Sequence, residues 1–295
     1  MKVRFDQSAP YEVDEQDTPF AKPGGQELLA RIYRPKGEAE RPLAALVDVH
    51  GGAWSRNDRT SGAVHCRGLS ASGLVVVSLD FRQGSAHKHP AASADVAAGV
   101  RYVRAQAGHL GIDPRRVGIV GSSSGGQLAL LAGLKPGVPE HAGTPIVTPG
   151  GSLDAGDESL AFVIALFPVA DPLARFRYVV GRQDDGSGFD AKRLIAAHHG
   201  YFTSEAQMAE ASVTRIVAAG ESRALPPVWL AHPELDDNVP AAITDAFVTA
   251  YQAAGGSIER VRFPGARHGF TGQASADTDK ALAMMRDFIG RQLAR

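Results

Sequence analysis

One cysteine occurs among the 295 residues, so the chain cannot form an internal disulfide or assemble a multi-cysteine zinc site. Cys66 reads as a small buried hydrophobe. Long apolar runs are missing as well: stretches such as Leu74 to Leu79 fall far short of the roughly 20 residues that a membrane-crossing helix needs, and no membrane span is expected. Met1-Lys2-Val3-Arg4-Phe5-Asp6 carries neither the apolar run nor the small-residue cleavage site of a secretory leader, which makes the cytoplasm the expected location. An excess of charge of one sign is also lacking. The formal net charge is −1, Lys and Arg are scattered, and nothing draws a nucleic-acid backbone to the chain. Repeats and low-complexity tracts are absent; the Gly/Asp-rich stretch Pro149 to Asp157 reads as a loop.

What is present, 44% hydrophobic and 21% charged residues, suits one catalytic domain over residues 1–295 with a large core. Short apolar runs at Ala45 to His50, Leu74 to Phe81, Val117 to Val120, Phe162 to Phe167, Val228 to His232 and Val261 to Phe263 predict strands covered on both faces. Helical composition falls between them, at Ala92 to Ala107 and Gly126 to Leu134, and the last helix places Ala281, Met285, Phe288 and Ile289 on one stripe. This alternation predicts an α/β fold with a mostly parallel central sheet and helices on both faces. Glu27 to Arg34, ended by Pro35-Lys36-Gly37, is expected as an antiparallel edge strand. Ala170 to Leu225 separates two central strands with helix-like and polar sequence, and reads as a cap insertion bordering the ligand crevice.

Gly121-Ser122-Ser123-Ser124-Gly125-Gly126 lies between a predicted strand and a predicted helix. A serine hydroxyl is a weak nucleophile and must project from a tight turn where a base reaches it; glycines two before and two after Ser123 permit that turn. The helix behind it aims free N–H groups at a developing oxyanion, and Ser124 is expected to donate one of them. His50-Gly51-Gly52-Ala53-Trp54 ends an earlier strand, where Gly51 and Gly52 are candidate oxyanion donors and His50 is expected to hold the loop by hydrogen bonds. A serine nucleophile needs a histidine base and a carboxylate to orient it. His268 lies after the final strand in Pro264-Gly265-Ala266-Arg267-His268-Gly269-Phe270, and Glu234, Asp236 and Asp237 compete for the acid after the penultimate one. The pairs His87/His89 and His198/His199 read as solvent-exposed loop histidines without a zinc-type partner motif, so no metal site is expected.

With these residues in hand, the chain resembles the α/β-hydrolase carboxylesterases related to hormone-sensitive lipase, a group that includes feruloyl-esterase-like and kynurenine-formamidase-like branches. The resemblance runs from about Leu29 to the C-terminus and rests on His50 to Trp54, Gly121 to Gly126, Asp236 to Pro240 in an Asp-x-x-Val-Pro setting, and His268-Gly269-Phe270. Leu79 to Arg82 and Gly111 to Pro114 look like further landmarks. It implies the α/β-hydrolase fold, a Ser123-Asp236-His268 triad, a small-molecule ester substrate, and no metal or organic cofactor; its register is what singles out Asp236. The chain departs from the lipase-like pattern at Ala53-Trp54 and at Ser122, so Trp54 and Ser122 are expected to bear on substrate. Ester hydrolysis is the reading; an arylformamidase, another amidase or an acyltransferase would use the same triad, and a non-catalytic receptor would have to have lost part of it. Oligomeric state is not legible, and a homodimer is left open.

Overall fold

The computed structural model describes residues 2–147 and 156–295, so the loop expected over Pro149 to Asp157 lies, up to residue 155, outside the described residues. In chain order the strands are β1 (Lys2–Val3), β2 (Val13–Ala21), β3 (Leu28–Pro35), β4 (Glu38–Ala39), β5 (Leu43–Val49), β6 (Val75–Leu79), β7 (Ile112–Ser122), β8 (Val163–Leu166), β9 (Val228–Pro233) and β10 (Ile258–Phe263). The helices are α1 (Ala63–Ser70), α2 (Ala91–Ala105), α3 (Ala107–Leu110), α4 (Ser124–Leu134), α5 (Pro172–Gly181), α6 (Ala191–Tyr201), α7 (Glu205–Glu210), α8 (Val213–Ala218), α9 (Ala241–Ala253) and α10 (Ala276–Leu293). β1 and β4 pair with each other; the other eight strands form one sheet in the order β10, β9, β8, β7, β5, β6, β3, β2. From β10 to β6 every pairing is parallel.

Strand periodicity divides the core into two. Val47, Val77 and Ile119 face a cluster that holds Val96 and Val100 of α2, Leu128 and Leu131 of α4, and Phe247 of α9. Their neighbours Leu46, Val76 and Val120 face Cys66 and Leu69 of α1 and Met285 and Ile289 of α10. All residues of β5, β6, β8 and β9 are buried, which explains why these strands read as mostly apolar runs. Burying one such aliphatic side chain contributes about 1.5–3 kcal/mol, so the continuous two-sided core holds the strand ends rigidly in register. No helix among the described residues is long and apolar enough to cross a membrane.

Two expectations need correction. β3 is antiparallel to β6, but it is not the edge of the sheet, because β2 pairs along its outer side. β2 escapes a pattern search because its sequence, Val-Asp-Glu-Gln-Asp-Thr-Pro-Phe-Ala, buries only its last two residues. Its acids instead meet cations: Asp17 accepts from Arg31 and Arg59, and Glu15 from Arg67, which guards the edge with charge. His198, expected in an exposed loop, is fully buried on α6, where its Nδ1–H donates to the Leu194 carbonyl at 2.8 Å. The stretch Ala170 to Leu225 carries α5 to α8. Leu173, Phe176, Tyr201, Phe202, Met208 and Val213 from it join the same cluster as α2 and α4, while Val179, Ala191, Leu194 and Ala197 form a small cluster of their own with Ala53.

Candidate active site

Because β5, β7, β9 and β10 run parallel, the loops that follow them open on one edge of the sheet. At the end of β7 the chain turns into α4 through Ser123, whose backbone is held at φ 54° and ψ −119°, a region that an L-residue occupies only under tight constraint. The constraint is close packing. A Cβ on Gly125 would lie 2.1 Å from the Val49 carbonyl oxygen, so only glycine lets α4 start against the end of β5.

The strained turn presents Ser123 Oγ to His268, with Oγ to Nε2 at 2.8 Å. On the other side of the imidazole, Nδ1 lies 2.8 Å from Asp236 Oδ2. A carboxylate only accepts, so Nδ1 carries the proton and Nε2 is left to accept from the serine hydroxyl. Asp236 is itself fixed: its Oδ1 accepts from the N–H groups of Asn238 at 2.9 Å and Val239 at 2.8 Å. The competing acids point elsewhere. Glu234 approaches Arg262 at 3.7 Å, and Asp237 is exposed, its main-chain carbonyl accepting from the Tyr178 hydroxyl at 2.9 Å and from Arg182. Phe167, forced to φ 41°, sets its ring edge-on to His268 with centroids 4.9 Å apart.

The loop after β5 closes the opposite side. Gly52 sits at φ 125°, where a Cβ would meet the Arg56 carbonyl at 2.2 Å, and Ala53 and Trp54 follow in left-handed conformations. His50, stacked on Phe81 at 4.2 Å, donates from Nδ1 to the Gly51 carbonyl and so holds the loop as expected. Among the described residues the N–H groups of Gly51, Gly52 and Ser124, and that of Ala53, meet no protein acceptor, and Gly51 approaches the Ser123 side chain closely. Ala53 thus joins the expected donors.

Trp54 does not bear on substrate as expected. Its left-handed backbone turns the ring inward, where it is 1% exposed and stacks on Tyr201; its N–H donates to Ser124 Oγ at 3.3 Å and its Nε1–H to Gln127 Oε1 at 3.0 Å. Gln127 passes the network on to the Ala211 carbonyl. The tryptophan therefore ties the glycine loop to α4 and to the stretch beyond α7, outside the cavity.

That cavity, of about 300 Å³, is lined by Ser123, His268, Ser122, Gly51, Gly52 and Ala53 on the strand-end side. Leu194, Arg175 and Arg193 line it from α5 and α6, and Asn238 from the loop after β9. Arg175 and Arg193 went unnoticed in the sequence because no motif marks them. Arg175 nonetheless had a signal, a charge on the inward stripe of α5 between Pro172 and Val179. Phe176, Tyr201 and Phe202 are buried in the core instead of lining the cavity. A larger cavity, of about 570 Å³, lies elsewhere among Leu131, Lys135, His141 and Arg215, and none of the residues above lines it. Asp48, His65 and Cys66 bring three metal-capable atoms together. Asp48 already accepts from His65 Nε2 at 2.7 Å and from the Ser78 hydroxyl at 2.5 Å, so both of its carboxylate oxygens are engaged within the protein.

The BD-FAE family model matches residues 31–251. Esterase LipC of Mycobacterium tuberculosis is 28% identical over 90% of the chain and 64% of its own length. Esterase LipQ of the same organism is 27% identical over 95% and 63%. The chain thus spans slightly less than two thirds of these two relatives. Ethyl acetate hydrolase of Pseudomonas putida is 25% identical over 91% of the chain and 80% of its own length. Among solved structures, an esterase of Pyrobaculum calidifontis superposes with a TM-score of 0.75 at 22% identity, covering 97% of this chain and 88% of that one. A thermophilic esterase of Thermogutta terrifontis with propionate bound gives 0.69 at 24%, covering 96% and 94%. The fold is the α/β-hydrolase fold.

Proposed function

The chain belongs to the BD-FAE family, and on that premise we propose that it is a serine hydrolase cleaving carboxylic esters through an acyl-enzyme on Ser123. The observation that carries this reading is the hydrogen-bonded relay from Ser123 Oγ through His268 to Asp236 at the wall of a cavity. His268 Nε2 takes the hydroxyl proton as Oγ bonds to the ester carbonyl carbon, whose oxygen becomes an oxyanion facing the N–H groups of the glycine loop and Ser124. Asp236 keeps His268 in the accepting tautomer and stabilises the imidazolium. The oxyanion collapses, the bond to the alcohol oxygen breaks, and the imidazolium returns its proton to the departing alcohol. Water then attacks the acyl carbonyl, gives its proton to His268, and releases the acid and the serine.

A panel of chromogenic esters with graded acyl length, run on the wild type and on Ser123→Ala, tests the reading. Turnover by the wild type and none by the variant is the expected result; equal turnover by both overturns it. The same panel with N-formyl aromatic amides added separates the ester from the formamide. The relatives LipC and LipQ are named esterases, and esters are expected to be the faster substrates.

A further inference from the structure

Three arginines, Arg56, Arg175 and Arg193, line the cavity beside Ser123, and among the described residues no aspartate or glutamate does. Arg56 is exposed at the rim, and Arg193 is half-buried with Nε on Asp190 Oδ2 at 3.0 Å. Arg175 differs from both: it is 1% exposed. Its Nε and Nη2 donate to the main-chain and side-chain carbonyls of Asn238, two neutral acceptors, while Nη1 has no partner and no carboxylate among the described residues is within ion-pair reach. Burial, and then the charge of Arg193, pushes the guanidinium down to about 9, which leaves it charged at neutral pH. A buried cation without a counter-ion is costly, and α5 would pack at least as well with an apolar side chain there.

We propose that the cavity is built for esters that carry a carboxylate, which Arg175 binds through its guanidinium at the cavity wall while Arg193 and Arg56 draw it in. The proposal rests on the esterase reading and adds the substrate class to it. A guanidinium suits this role because its bond to a carboxylate is charge-assisted and its planar fork stays fixed by Asn238. The summed field of three cations at a recessed opening also raises the local concentration of an anionic substrate.

Matched ester pairs differing only in charge test it. For the acid side of the ester, the pair is the p-nitrophenyl monoester of adipic acid and its methyl-capped diester. For the alcohol side, it is the butyrate ester of para-hydroxyphenylacetic acid and that of its methyl ester. In the wild type, kcat/KM for the carboxylate form should exceed that for the methyl-capped form by about ten- to hundredfold on one side, mostly through KM. That ratio should fall to one or below in Arg175→Met and severalfold in Arg193→Gln. A wild-type ratio of one or less on both sides overturns the proposal, as does a ratio that survives in Arg175→Met. Reading the ratio matters because Arg175 also touches the Asn238 loop, and damage there slows both members of a pair alike. Should Arg175→Met fail to fold, the wild-type ratio and Arg193→Gln decide. Turnover of the methyl-capped esters without charge preference defeats this proposal alone; no turnover of any ester defeats the esterase reading and this proposal with it.

Discussion

The two walls of the cavity are built differently. On the strand-end side, Ser123 and the glycine loop sit on tight, strained turns, and they and the His268 loop follow strands of the parallel part of the sheet. Facing them, Leu194, Arg175 and Arg193 sit on ordinary capped helices, with Asp171 and Asp190 accepting from the first-turn N–H groups of α5 and α6. One wall is over-determined to a fraction of an ångström; the other is set by side-chain choice on regular backbone. Under the proposed function the difference becomes a division of labour, in which the sheet edge holds the reacting groups and the helices decide what reaches them.

The largest effect that tests this division is at Ser123. Ser123→Ala should lower ester turnover by at least about 10⁴-fold and abolish labelling by an organophosphonate, with the fold unchanged by circular dichroism. An adduct mapped by mass spectrometry to Ser122 or Ser124 would break the assignment of chemistry to that turn. Next comes the acid. Asp236→Asn should cost about 10³- to 10⁴-fold in kcat, because the amide stabilises the wrong imidazole tautomer, whereas Asp237→Asn, exposed and with its carboxylate unbonded, should cost little. The reverse order would exchange their roles.

On the facing wall the effect should be smaller and of another kind. Leu194 lines the cavity, so Leu194→Ala should shift kcat/KM toward longer acyl chains by roughly tenfold, the scale of a methylene or two in an apolar pocket. Phe176→Leu, buried on α5 off the cavity, should lower the melting temperature and leave the acyl preference alone, measured on the same ester series. A changed preference in Phe176→Leu would show that the helices act as one body in setting the pocket.

The smallest effect concerns stability. Burial first, and then the Arg175 charge, holds His198 at about 3, and burial holds His89 at about 4. Both are depressed below the usual histidine value, so between about pH 6.5 and 4 the unfolded chain binds protons that the folded chain refuses, and stability falls as pH falls through that window. Melting temperatures at pH 7.5 and pH 5 should differ less in His198→Phe than in the wild type. An unchanged difference would show that His198 takes up its proton without unfolding.

Much of the strand-end wall was legible because its constraints are local. Glycine at 121 and 125 around Ser123, paired glycines after a buried strand, and His268 after the last strand each leave a mark within a few neighbouring residues. The choice of Asp236 over Asp237 came from a resemblance, since adjacent carboxylates differ only in which one faces His268. β2 was missed because its outward face is all charge, and His198 was misplaced because a lone polar residue on a helix carries no sign of which way it points.

By itself, the order of apolar runs and turn residues determined the α/β sheet and its direction and singled out Ser123 and His268 as candidates, since those follow from periodicity and backbone sterics over short spans. Only the tertiary structure decided that Trp54 turns inward to Gln127, that Asp236 carries the bond to His268, and that Arg175 lines the cavity with its Nη1 unpartnered among the described residues. The reason is physical. Burial and pairing of a side chain depend on what distant segments bring against it, and the segments that meet at this cavity, from Gly51 to His268, are joined by folding alone.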